Sequence, residues 1–108
     1  MNSKTKIITL LCIAAFSVCC SPSLYKPTTV DLDAGKKLYT DLTIEQLNKG
    51  LQLYADKCGS CHALYKPREI TPARWTEMLP EMKTKAQLTD KEYDLITRYL
   101  KSKNATTN

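Results

Sequence analysis

Cys58, Cys61 and His62 stand together in the stretch "YADKCGSCHALYKP", residues 54–67, and His62 is the only histidine of the 108-residue chain. Two thiols and an imidazole within five residues suit redox, metal-binding or nucleophilic chemistry, and their spacing sorts these options. A disulfide between cysteines two residues apart makes a small reducible loop of the thioredoxin sort. That chemistry belongs to a βαβ context, and no strand-like alternation is present around it. A structural zinc ion wants four ligands. Past residue 20 the chain offers no histidine or cysteine beyond these three. A catalytic Cys–His pair is disfavoured, because adjacent residues on a helix point about 100° apart.

The fourth reading is covalent attachment of a c-type haem, for which C-x-x-C-H is the recognised pattern. Two thiols about one helical turn apart reach the two vinyl groups on neighbouring pyrroles and form thioethers. The next residue then brings its imidazole to the iron as proximal ligand. This reading uses all three side chains: Cys58 and Cys61 carry the haem, one per chain, and His62 ligates it.

The elements around the motif are helical. At Thr43, "TIEQ" forms a capping box with Gln46 at its third position. Ile44, Leu47, Leu51, Tyr54 and Cys58 follow at spacings of three and four, on one face. A second helix opens with Thr71 as cap and Pro72 in the first turn. Trp75, Met78 and Leu79 share its face, and Pro80 is expected to stop or kink it. A third opens at "TDKE", with Thr89 as cap and Glu92 at the third position. Its stripe is Leu95, Ile96, Tyr99 and Leu100. The expected fold is all-α, with three main helices around one bound haem. A helical domain of about sixty residues is near the size at which side chains alone make a marginal core, so a bound group completes it.

The segment Gly50 to Leu100 resembles a class I monohaem cytochrome c. "GLQLYADKCGSCH" is similar to that family's Gly-x3-aromatic-x3-C-x-x-C-H helix, and "TRYL" to its C-terminal helix. The resemblance implies that these two helices cross, with Gly50 and Tyr54 meeting Leu95 and Tyr99. The stretch "W-x3-L-x2-M…KAQLTDKE" resembles small bacterial haem-c domains with a methionine seven residues after the tryptophan. Outside Met1 the methionines are Met78 and Met82. That spacing selects Met82 as distal iron ligand, placed on a loop beyond Pro80. Met78 is the runner-up, and an open or lysine-ligated iron remains a further option. His–Met ligation raises the reduction potential, and occupation of both axial positions implies electron transfer rather than substrate binding. Trp75, Arg68 and Tyr65 are candidate contacts to the haem propionates. The carbonyl of Pro67 or Pro72 is the candidate acceptor for His62 Nδ1.

The N-terminus reads as an export signal, residues 1–19. Lys4 and Lys6 precede the twelve-residue apolar run Ile7–Val18, which is short for a membrane-spanning helix. The following "CCSPS" resembles a bacterial lipoprotein lipobox, with Cys20 acylated and Cys19 the alternative. The alternative is that both are ordinary signal-peptide residues with no lipid attached. Residues 20–42, with Pro22 and Pro27, read as a tether to the membrane. Residues 43–103 form the haem domain and 104–108 a polar, frayed tail.

Removing Lys4 and Lys6 lowers the net charge from +5 to +3. That balance, with no basic run interleaved with aromatics, argues against nucleic acid as partner. Lys83 and Lys85 flank the proposed distal ligand and suit an acidic or membrane-bound redox partner. The expected role is therefore one-electron carriage on the exported side of a membrane, not enzyme catalysis on a small-molecule substrate. Two other roles share the motif: a haem-relay subunit of a larger membrane oxidoreductase, and a redox or gas sensor with a labile sixth ligand.

Overall fold

The computed structural model describes residues 26–106. The signal segment and the lipidation candidates Cys19 and Cys20 lie outside the described residues. Within them the chain is all-helical: α1 (Thr29–Lys36), α2 (Ile44–Leu53), α3 (Pro72–Lys85) and α4 (Asp90–Ala105). A π-helical turn, Tyr54–Cys58, prolongs α2, and a 3₁₀ turn, Pro67–Glu69, lies between α2 and α3.

Each helix starts at a threonine. Thr43 and Gln46 form the expected capping box, as do Thr89 and Glu92. Thr71 accepts from the Arg74 amide ahead of Pro72. Satisfying these first-turn N–H groups is worth about 1 kcal/mol per cap. α4 is the central element. Leu47, Ile96, Tyr99 and Leu100 are fully buried where it crosses α2, each contributing about 1.5–3 kcal/mol through loss of apolar surface to water. A Cβ on Gly50 would lie 2.3 Å from the Leu95 carbonyl oxygen and 2.6 Å from Tyr99 Cβ. The two helices therefore approach as the sequence resemblance implied, and only glycine permits that distance.

Three expectations are corrected. First, residues 29–36 of the expected tether are helical. Thr28 caps α1, and the Asp31 carboxylate accepts from the Thr28 amide at 2.8 Å. α1 packs on α4 closely enough that a Cβ on Gly35 would sit 2.2 Å from Ser102 Oγ. Second, α3 runs through Pro80. The proline is exposed, so its ring displaces no core atom. Burial of Trp75 and Leu79 before it and Leu88 after it offsets the cost of about 3 kcal/mol for an interior proline. α3 ends later, where Gln87 takes a left-handed conformation (φ 53°). The Leu88 amide donates back to the Lys83 carbonyl and the Gln87 amide to that of Thr84, a Schellman ending with glutamine in the position that favours glycine. Third, the expected tail begins inside α4: Asn104 is buried and the helix reaches Ala105.

Candidate functional site

The helix leading to the motif changes pitch as it arrives. At Tyr54–Cys58 the backbone widens into one π turn, a local distortion frequent at functional sites. The chain then tightens, with the Gly59 amide donating to Ala55 and the Cys61 amide to Cys58. A Cβ at Gly59 would lie 2.4 Å from the Ala55 carbonyl oxygen, so this position must be small. The two thiols end in different surroundings. Cys58 is buried and Cys61 exposed, and both are free. Burial, and then the neighbouring Cys61, push the Cys58 thiol up from its ordinary value and keep it protonated.

His62 is exposed, with Nδ1 2.8 Å from the Ala63 carbonyl oxygen. In the tautomer protonated at Nδ1 that nitrogen donates to Ala63, and Nε2 keeps its lone pair for a ligand role. The ring lies 5.9 Å, centroid to centroid, from that of Tyr65. The Pro67 carbonyl is not available to His62: it accepts from Trp75 Nε1 at 2.9 Å and from Asn104 Nδ2 at 2.6 Å. The Pro72 carbonyl accepts from the Thr76 hydroxyl within α3. Neither proline therefore serves as the expected acceptor.

Cys58, Cys61, His62 and Tyr65 line a cavity of about 320 Å³, and Met78 and Met82 on α3 line it too. Met82 was expected on a loop. It lies instead within α3, one turn beyond Met78, and residues four apart share a helix face. Both thioethers therefore border the cavity, half-buried. Two thiols, an imidazole and two soft thioethers around one apolar cavity fit a covalently held haem. The zinc alternative finds no support in the arrangement: among the described residues no three His, Cys, Asp or Glu side chains cluster as a metal cage.

The three expected propionate contacts separate. Tyr65 lines the cavity. Trp75 is buried and turned to Pro67, and Arg68 reaches Asp31 at 3.2 Å. Lys57 and Lys85 also border the cavity, yet Lys57 pairs with Glu92 at 3.4 Å and Lys85 with Glu81 at 2.6 Å. Lys83 pairs with Asp90. The basic rim is thus largely compensated by its own carboxylates.

Sequence reasoning missed a cluster at the other end of α4. Asp31, fully buried, accepts from Lys103 Nζ at 3.1 Å, from Thr28 and from Arg68. Lys103 Nζ also donates to the Lys26 carbonyl, and Arg68 Nε to the Lys103 carbonyl. Burial opposes ionisation of Asp31. The hydrogen bonds from Thr28 and Lys103, with the charge of Lys103, outweigh it and hold the carboxyl below its ordinary value. The signal for it was the capping pattern T-T-V-D at residues 28–31.

Comparison with known proteins places these features. No curated protein and no solved structure matches the chain. A family model described as dihaem cytochrome c matches residues 54–108, which begin just before the thiols and run to the chain end. The match is to a c-type cytochrome family, though not to the monohaem class I group that the motifs resemble. The sequence holds one C-x-x-C-H and one histidine. With half of its length matched, motif and cavity included, this chain belongs to the dihaem cytochrome c family.

Proposed function

We propose that the protein is a one-electron carrier with a single covalently attached haem c. The observation that carries this reading is the convergence of Cys58, Cys61, His62, Met78 and Met82 on one cavity in a chain of a c-type cytochrome family. The bound group supplies reversible exchange of one electron between ferric and ferrous iron. Cys58 and Cys61 hold it as thioethers. His62 offers Nε2 as proximal ligand, its ring oriented by the Ala63 carbonyl. Met82 provides the distal thioether and Met78 is the alternate. The occurrence of one C-x-x-C-H in the sequence supports one haem per chain.

Cys58 sits in the same buried core as Tyr54, Trp75 and Leu79. A thioether ligand favours the reduced state. Lys4, Lys6, the run Ile7–Val18 and Cys20 support export and attachment to a membrane by acylation. The partner is then a redox protein, acidic-surfaced or membrane-bound. Lys57, Lys83 and Lys85 support that choice, and their pairing with carboxylates tempers the salt dependence of docking.

The test is the absorption spectrum of haem-loaded wild type, Met82→Leu and Met78→Leu, oxidised and reduced. A charge-transfer band of methionine-ligated ferric haem that is present in wild type and Met78→Leu, and lost in Met82→Leu, is the expected result. Loss in Met78→Leu alone reassigns the ligand. A wild type that is high-spin and takes up CO rapidly in the reduced form sinks the carrier reading in favour of a sensor.

A further inference from the structure

We infer that Asn104, at the far end of α4, is a positioning residue for the haem-ligating loop, holding the backbone that orients His62. The inference rests on the haem-carrier reading above. Residues 63–66, which follow His62, form neither helix nor strand. Side chains from separate helices hold this connection. Tyr54 Oη, at the end of α2, donates to the Tyr65 carbonyl at 2.7 Å. Trp75 Nε1, on α3, donates to the Pro67 carbonyl at 2.9 Å. Asn104 Nδ2, on α4, donates to the Pro67 carbonyl at 2.6 Å and to that of Ile70 at 3.0 Å.

Asn104 is the member that spans most of this connection. Its amide group has two N–H donors, and both are used on loop carbonyls three residues apart. The Pro67 carbonyl has two lone pairs, taken by Trp75 and Asn104. Pro67 is fully buried and Asn104 nearly so, so water does not replace a lost bond at little cost. Loss of the Asn104 donors leaves two carbonyls underpartnered and frees the loop between Tyr65 and Ile70. The consequence reaches His62 through Tyr65 and the Ala63 carbonyl. That carbonyl accepts from Nδ1, which makes the imidazole a stronger donor and favours ferric iron. A loosened loop weakens the bond, so the iron becomes easier to reduce.

The experiment measures two quantities on the haem-loaded protein: the reduction potential, and hydrogen exchange of the 62–66 amides. Asn104→Leu keeps bulk without donors, and Asn104→Ala removes the amide without adding bulk or charge, so the second carries the test should the first not fold. Ile96→Val and Leu42→Ala are core truncations that bracket the loss of stability and remove no hydrogen bond from the loop. Both Asn104 variants are expected to raise the equilibrium constant for reduction about threefold to tenfold, tenfold being about 59 mV for one electron. The 62–66 amides exchange faster in the same variants, while both core truncations leave the potential at its wild-type value. A potential unchanged in the Asn104 variants, or one that tracks stability across all four, overturns the inference alone. Wild type that binds no covalent haem overturns the carrier reading with it.

Discussion

α4 joins two regions that handle polar atoms in opposite ways. At its first turn, Glu92 reaches Lys57, which borders the cavity, and Asp90 reaches Lys83, in pairs that solvent still touches. The cavity itself is bordered by free thiols, thioethers and a solvent-facing imidazole. At its last turns, Lys103 and Asn104 are buried, and their side-chain donors go to Asp31 and to the carbonyls of Lys26, Pro67 and Ile70. The closed region supplies rigidity, because a buried charge without its partner is costly. The open region leaves soft donor atoms free for a bound group. A small domain that must hold a large cofactor divides the two tasks between the ends of one helix.

The widest break in that comparison comes from Asp31→Ala. Removing the carboxylate leaves Lys103 buried against a single carbonyl. Unfolding by denaturant is expected to show a loss of about 3–5 kcal/mol. Asp31→Leu with Lys103→Met, which removes both buried charges, recovers most of it. Met82→Leu, at the cavity, is expected to cost less than about 1.5 kcal/mol in the protein without haem, being a near volume-conserving exchange. A Met82→Leu loss as large as that of Asp31→Ala would erase the distinction between the regions.

The acid response sharpens the comparison. The folded Asp31 carboxyl titrates below its ordinary value of 3.8, so in that window the unfolded chain binds more protons. Its contribution is complete above the unfolded value and is lost as pH falls through the folded one. Thermal unfolding measured from pH 6 downward should therefore show a decline below about pH 4. That decline flattens in the Asp31→Leu/Lys103→Met variant. A decline equally steep in both would assign acid sensitivity to other carboxylates such as Asp90 and Glu92, whose values are also lowered by their partners.

The smallest effect is expected at the end of α3. Gln87 holds a left-handed conformation that glycine adopts without penalty. Gln87→Gly should stabilise the fold by about 0.5–1 kcal/mol, read as a raised thermal midpoint with an unchanged spectrum. A lower midpoint would show that the Gln87 side chain outweighs the backbone strain.

The helix starts at Thr43, Thr71 and Thr89 were legible because a cap is a contract between residues three apart. The haem-attachment motif was legible for the same reason, since its chemistry lies within five residues. Gly50 was legible through the family resemblance, which named the residues it meets. α1 escaped notice although Thr28 and Asp31 carry a capping pattern, because the buried members of that helix are Asp31 and Gly35 and no apolar stripe advertises it. Asn104 escaped because a polar residue near a chain end reads as solvent-exposed.

By its sequence alone this protein determined the beginnings of α2, α3 and α4, its thiol–imidazole motif and its all-helical class, each written in short-range spacing. Tertiary structure decided the rest. Burial of Trp75, Leu79 and Leu88 carries α3 through Pro80 and so sets Met78 and Met82 on one face of the cavity. An ion pair between residues 72 apart, Asp31 and Lys103, turns an expected tether and tail into the closed end of the domain. Such choices depend on which charges and apolar surfaces leave water together, and that becomes fixed only when distant segments pack.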